Sequence, residues 1–326
     1  MQPDAIVFHP KCFGGYHIAE KLQIPAVMSL PLPFFTATTE FPIPFIGRWP
    51  FGARANRASY QFQRITAIAY GGMINRFRCE TLHLGRVSRF EDFLHQPDGS
   101  PVPILYPFSA HVRPVPKDYP SHAHVTGYWF LEGGDDWQPS PDLAGFLADG
   151  EAPVYVGFGS MGFGKGSDER RDAVVTALQR TGARGILATG WGGMHRTDVP
   201  PHVLMLETAP HDWLFPRMSA VVHHGGSGTT GAGLLAGRPT LICPFLGDQP
   251  FWGYQVHLLG AGPEPLPQRR FTADRLTERL DQLIHTASYR TAAEALGDQI
   301  RAEDGIGNAI RALERIHETS PTRGGG

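Results

Sequence analysis

From about residue 118 onward, short apolar runs alternate with segments whose apolar residues recur at helical spacing. The runs are 154–158, 185–189, 203–207, 220–223 and 240–243. Near-continuous apolar runs of this length predict strands buried on both faces of a parallel sheet. Between them, residues 168–182 place Ala173, Val174, Ala177 and Leu178 on one helical face, and Gly182 stands where a helix C-cap belongs. Thr272 precedes Leu276, Leu280, Leu283 and Ile284, an N-cap followed by one apolar stripe. A β-α alternation of this kind predicts a doubly wound α/β domain with right-handed crossovers.

The first 117 residues read differently. Two buried strands, near 5–9 and 26–30, flank a helix around 16–22. Residues 31–52 then form a segment rich in Pro, Phe and Gly, too long for an ordinary connection. Its Phe34, Phe35, Phe41, Phe45 and Trp49 argue against disorder, which is poor in aromatics. A long helical stretch is expected over 56–84, a polar crossover over 135–141 and a disordered tail over 320–326. Two or three strands in the first 110 residues would make a small sheet, so this part reads as the second half of a domain.

Composition narrows the function. Lys and Arg total 29 against 31 Asp and Glu, a net charge of −2, and no basic excess marks a nucleic-acid partner. No run approaches the ~18 apolar residues of a membrane span, and the N-terminus lacks the pattern of a signal peptide. Cys12, Cys79 and Cys243 are odd in number and far apart, which fits a reducing, cytoplasmic setting better than a disulfide framework. No His, Asp or Glu cluster has metal-ligand spacing.

Four segments carry candidate chemistry. Gly157-Phe158-Gly159-Ser160-Met161-Gly162 follows a strand and matches G-x-G-x-x-G. The next strand, however, ends Leu187-Ala188-Thr189-Gly190-Trp191, without the carboxylate that would hold a dinucleotide ribose. A nicotinamide oxidoreductase is thereby disfavoured. A structural turn and a loop approached by a sugar nucleotide, with Ser160 as donor, both stay open.

The second segment is His223-His224-Gly225-Gly226-Ser227-Gly228-Thr229-Thr230, between a strand and a helix. Successive backbone N–H groups at a helix N-terminus make an anion site. His224, Thr229 and Thr230 add donors, and no Lys makes it a Walker A loop.

The third segment, Pro244 to Trp252, holds Asp248 and Gln249, whose oxygens and amide suit a vicinal pair of sugar hydroxyls. The competing reading is an Asp that caps the next helix. The fourth is Pro210-His211-Asp212-Trp213-Leu214-Phe215-Pro216, either a loop against a base or a short capped helix with core aromatics.

Together these motifs resemble the sterol 3-beta-glucosyltransferase branch of the UDP-dependent glycosyltransferases. The resemblance rests on V-Y-V-G-F-G-S-M-G at 154–162, P-H-D-W-L-F-P at 210–216, H-H-G-G-S-G-T-T at 223–230 and P-F-L-G-D-Q-P-F-W at 244–252. Weaker likeness runs through 17–22, 33–42, 125–130 and 303–306. It implies an α/β, GT-B-like fold of two Rossmann-like doubly wound domains. Residues 1–117 would be a partial acceptor-binding domain, 118–300 the UDP-sugar donor domain and 301–319 a C-terminal helix.

The resemblance also implies roles. His224 and the backbone of Ser227, Gly228 and Thr229 would hold the donor diphosphate, with Ser160 beside the phosphates. Asp248 and Gln249 would hold the glucose hydroxyls, and the loop carrying His211 would flank the uracil. Read from the composition of their loop, Phe34, Phe35 and Phe41 would either line an apolar acceptor pocket or pack beneath the loop as its own core. The expected reaction is inverting transfer of glucose from UDP-glucose to a sterol or similar apolar hydroxyl, without metal or cofactor. The expected partners are a UDP-sugar and an apolar acceptor, with peripheral membrane contact open and no nucleic acid.

Two departures qualify the match. A ribose-binding Glu of plant-type relatives corresponds to Ala232 here, as in the sterol branch. The Gly-rich N-terminal loop that carries the family's catalytic base has no counterpart, so no catalytic residue is assigned. His9 and His17 are the histidines nearest that end. A remnant that binds UDP-sugar but transfers poorly is the alternative.

Overall fold

A computed structural model describes residues 3–46, 52–88, 91, 93–131, 133, 136–159, 166–189 and 199–319, the side chains of 64–67 excepted. Ser160, Trp49, Asp135 and the 320–326 tail therefore lie outside the described residues. The chain divides into two compact units, one of Met1–Trp129 with Asp304–Gly326, the other Phe130–Glu303.

The first unit opens with strand β1 (Ile6–Phe8), helix α1 (Gly14–Leu22) and β2 (Ala26–Ser29). Helices α2 (Ala53–Ser59) and α3 (Gln63–Arg76) follow, joined by a 3-10 turn at Tyr60–Phe62, and a π turn at Phe77–Thr81 ends them. The single helix expected over 56–84 is thus a segmented rod that starts three residues earlier. Strands β3 (Ile104–Tyr106) and β4 (Ala123–Val125) complete a parallel sheet in the order β1-β2-β3-β4. The unit extends beyond the expected boundary at 117 because β4 pairs with β3, Ile104 opposite Ala123.

The second unit begins with α4 (Pro141–Ala148), whose Ser140 hydroxyl accepts a hydrogen bond from Leu143 N at 3.3 Å. Then come β5 (Val154–Gly157), α5 (Ser167–Thr181), β6 (Gly185–Ala188), β7 (Val203–Leu206), the one-turn α6 (His211–Leu214) and β8 (Ala220–His223). Helix α7 (Ser227–Leu235), β9 (Thr240–Ile242), α8 (Gln249–Leu258), α9 (Ala273–His285) and α10 (Ala287–Arg301) complete it. The five parallel strands lie in the order β7-β6-β5-β8-β9. The order reverses at β5, so the loops after β5 and β8 leave a topological switch point, where ligands of such sheets bind.

The apolar runs are strands because both faces are covered. Val154, Val156 and Val222 pack in one core cluster with Val174, Leu178, Leu276, Leu280 and Leu283. Tyr155, Ile186 and Val221 pack on the other face with Leu143, Leu214 and Phe215. Gly182 caps α5 in the left-handed conformation, and the Thr272 hydroxyl caps α9 through Arg275 N at 3.4 Å. Each fully buried Leu of the α9 stripe contributes about 1.5–3 kcal/mol of apolar burial.

The last helix, α11 (Gly305–Thr319), belongs to the first unit rather than standing apart. Ala312, Leu313 and Ile316 pack on Val27 and Leu105, and the Asn308 amide donates to Thr126 O at 2.9 Å.

Candidate functional site

Three loops of the second unit emerge side by side, because their strands are neighbours in register. Gly157 of β5 lies opposite His223 of β8, and His223 lies opposite Ile242 of β9. The carboxyl ends of these strands therefore deliver Gly159, His224 and the Asp248 loop to one edge of the sheet.

The central loop is shaped by glycines and a buried histidine. Gly225 has φ +96°, and a Cβ there would lie 2.5 Å from Ile242 Cγ2, so only glycine fits. Its N–H donates to His223 Nδ1 at 2.9 Å, which leaves the proton of that buried ring on Nε2. Sequence reasoning had the His doublet in view but not this division of labour. His223 is the loop's internal brace, and the His224 ring beside it is half-buried.

Helix α7 then begins with no side-chain cap, Gly226 being extended at φ −61° and ψ 142°. The first intrahelical bond is Thr230 N to Gly226 O at 2.9 Å. The N–H groups of Ser227, Gly228 and Thr229 precede it, and a Cβ added at Gly228 would meet nothing within 4 Å. The Ser227 side chain is 6% exposed, and its hydroxyl has no partner. His224 Nδ1 is likewise buried and unpartnered. Uncompensated buried polar atoms are costly, and here two of them adjoin a helix N-terminus whose dipole favours an anion. Thr230, read as a donor, is instead turned inward, its hydroxyl on Gly226 O at 2.9 Å.

Burial holds the His224 imidazole below its ordinary range, with the Asp248 carboxylate pulling it back up. Burial lowers His211 as well, opposed by Asp212, and lowers the fully buried His223 furthest. Burial thus favours the uncharged form of these rings while no ligand is bound. His211 stacks on Phe215, with ring centroids 4.3 Å apart and planes at 15°.

The third loop divides its polar atoms between structure and site. Gln249 Oε1 accepts from Phe245 N at 2.7 Å and Leu246 N at 3.2 Å, which turns its amide donors away from those backbone groups. Asp248 directly precedes α8 but does not cap it with its side chain. Its Oδ2 takes the Trp252 indole N–H at 3.1 Å.

In the first unit the aromatic residues divide too. Phe34 and Phe41 are buried, Phe35 is half-buried and Phe45 is exposed. Phe34 contacts Phe35 and Phe45, each at 5.0 Å between centroids, and the Arg113 guanidinium lies 4.1 Å over Phe41. Thr38 and Thr39 fasten the loop to Asp118 at 2.5 and 2.9 Å.

Both histidines near the chain's start are held by hydrogen bonds to neighbouring groups. His17 is 1% exposed and its Nδ1 takes Arg78 Nη1 at 2.7 Å, while Arg78 also grips Glu20. His9 Nδ1 accepts from Lys11 N at 3.1 Å.

Residues 189–314 match the family model of the erythromycin biosynthesis protein CIII-like C-terminal domain. Over 313 residues the chain is 39% identical to sterol 3-beta-glucosyltransferase UGT80A2 of Arabidopsis thaliana, covering 95% of this chain and 48% of that protein. It is 36% identical to the sterol 3-beta-glucosyltransferase of Aspergillus terreus, covering 98% of this chain and 23% of the relative. The chain thus spans about half the length of the plant relative and about a quarter of the fungal one. Among solved structures, the calicheamicin glycosyltransferase CalG4 superposes with TM-score 0.65 at 18% identity, over 98% of this chain and 75% of that one. The glycosyltransferase VinC, solved with DTDP, gives TM-score 0.62 at 19% identity, over 97% and 72%. At such identities these two speak to the fold alone. The chain therefore carries, over residues 189–314, a domain of the erythromycin biosynthesis protein CIII-like C-terminal family, shares the GT-B fold of these solved glycosyltransferases, and is similar in sequence to the sterol 3-beta-glucosyltransferases.

Proposed function

We propose that the second unit binds the diphosphate of UDP-glucose at the N-terminus of α7, and that the protein to which this chain belongs transfers the glucose to a sterol or similar apolar alcohol. The observation that carries the donor reading is the uncapped helix start beside two unpartnered buried polar atoms, Ser227 Oγ and His224 Nδ1. The diphosphate would accept from the Ser227, Gly228 and Thr229 N–H groups, with Ser160 beside it. Asp248 and the Gln249 amide would hold sugar hydroxyls, and the loop carrying His211 would flank the base. The acceptor identity leans on the names of the relatives.

In the proposed inverting reaction, the acceptor oxygen attacks the anomeric carbon from the face opposite the diphosphate. The bond from that carbon to the β-phosphate oxygen breaks, and negative charge grows on the departing UDP. The α7 N-terminus and His224 are preorganised for that charge, which is the form of stabilisation worth most in a water-excluded site. The acceptor proton must pass to a base, and no residue described here takes that role. The donor is a substrate, and the scheme calls for no cofactor or metal.

A second reading, UDP-sugar binding with little transfer, is favoured by one observation: His9 and His17 are both committed to other contacts. Calorimetry of UDP with His224→Ala tests the donor site. Losing a hydrogen bond to a charged group should weaken binding roughly 10- to 150-fold, and unchanged affinity would refute the role. Radiolabelled UDP-glucose with sterols, flavonoids and sugars separates the two readings. Full transfer by the 326-residue chain would dismiss the second, and a sugar acceptor outperforming every sterol would dismiss the apolar pocket.

A further inference from the structure

The rod of α2, the 3-10 turn and α3 carries an outward face of inverted character. Surface helices normally turn charged residues to water. Here Phe62, Ile68 and Met73 are 45%, 40% and 60% exposed, and Ala69 and Gly72 are exposed with them. At about 100° per residue, positions 68, 69, 72 and 73 span an arc of roughly 140°. The buried Ile74 lies opposite that arc.

The charge along this segment is mostly of one sign. Between Glu40 and Glu80 the chain has no acidic residue and six arginines, Arg48, Arg54, Arg57, Arg64, Arg76 and Arg78, although its net charge is −2. Arg54 and Arg57 are exposed at one end of the rod and meet no acid among the described residues. Arg76 is exposed at the other end and pairs with Glu80 at 3.0 Å. Arg78 is buried on Glu20 and adds nothing to the surface.

We propose that this face docks on an anionic lipid bilayer, with Phe62, Ile68 and Met73 in the acyl boundary and Arg54 and Arg57 on headgroup phosphates. An apolar centre flanked by arginines is the composition of helices that lie in the interface plane. The unpaired arginines of the Arg54 and Arg57 end match a negatively charged surface, where each basic residue contributes about fivefold in binding at low salt. The proposal goes beyond the donor site, since it concerns where the protein sits rather than what it holds.

Sedimentation of the 326-residue chain with phosphatidylcholine vesicles, with and without phosphatidylserine, tests it. The chain should bind the phosphatidylserine vesicles, less so at high salt. Ile68→Glu with Met73→Glu should weaken binding at least tenfold. Arg54→Gln with Arg57→Gln should weaken it about fivefold per arginine. Because these positions are exposed, both variants should keep the wild-type melting temperature and UDP affinity. Absence of wild-type binding, or unchanged binding in both variants, overturns the proposal. So does a dimer in light scattering that Met73→Glu dissociates, which would assign the face to a second copy. Failure of UDP binding with vesicle binding intact would refute the donor reading alone.

Discussion

The Asp248 carboxylate accepts the indole N–H of Trp252 at 3.1 Å, one turn into the helix that Asp248 precedes. Trp252 is fully buried, so one carboxylate oxygen fixes the core while the other can serve a ligand. Asp248→Ala should therefore cost about 1–3 kcal/mol of stability by removing the acceptor of a buried donor. Asp248→Asn keeps an acceptor and should melt near wild type. Both should weaken UDP-glucose binding more than UDP binding, because a site built to pair a hydroxyl is left unsatisfied. Calorimetry with the two ligands decides, and equal losses would make Asp248 purely structural.

Gly225 and Gly226 should respond differently to alanine. At Gly225 the left-handed backbone and the Ile242 contact leave no room, so Gly225→Ala should lower the melting temperature by straining the loop. At Gly226 the backbone suits any residue, but a Cβ would stand 2.8 Å from His224 Nε2. Gly226→Ala should displace the ring and weaken UDP binding while stability stays near wild type. Wild-type affinity in Gly226→Ala would show that the His224 position does not matter.

Donor affinity should rise as pH falls below neutrality. Burial depresses the pKa of the free His224 ring, and a bound diphosphate would favour its protonated form, so binding takes up a proton. UDP-glucose is the ligand of choice, because its diphosphate diester does not titrate in this range. Calorimetry from pH 7.5 down to 5.5 should show the rise in wild type and a flatter profile in His224→Gln. A profile that is flat in wild type would remove charge from the His224 role.

Stability should run the other way. Burial lowers the pKa of His17, His122, His124, His211, His223 and His224 below 6.5, so the unfolded chain binds more protons at mildly acid pH. This contribution is complete above 6.5 and is lost as pH falls through the folded-state values. The melting temperature should drop between pH 7.5 and 5.5, above the window in which Glu20 and Asp118 titrate. A constant melting temperature over that interval would contradict the buried-histidine account.

Leu280 lies at the centre of the α9 stripe and is fully buried among Val174, Leu178 and Leu276. Leu280→Ala should destabilise the second unit by about 2–5 kcal/mol. A denaturant midpoint that does not move would mean that the stripe is not its core.

Much of the second unit was legible because its signals are local. The runs at 154–158 and 220–223, the Gly182 and Thr272 caps and the glycines before Ser227 each declare themselves within a few residues. The first unit was less so. Its expected boundary at 117 missed β4, a three-residue strand of half-buried residues with no apolar run to announce it. The single expected helix over 56–84 missed the 3-10 and π turns, for which the composition carries no breaker such as proline.

The site shows the same division. By itself, the sequence determined that a glycine-rich loop would start a helix after a buried strand. Periodicity and turn chemistry suffice for that, because they act over one or two turns of chain. Only the tertiary structure decided how each polar atom is used. His223 Nδ1 braces Gly225 while His224 Nδ1 stays unpartnered, Thr230 turns inward while the Ser227 hydroxyl finds no partner, and Gln249 gives its oxygen to the loop. It also decided that α11 folds back onto Val27 and Leu105, far from it in the chain. A hydrogen bond or a buried contact goes to whichever partner the packed fold brings within reach, and neighbours along the chain do not specify that choice.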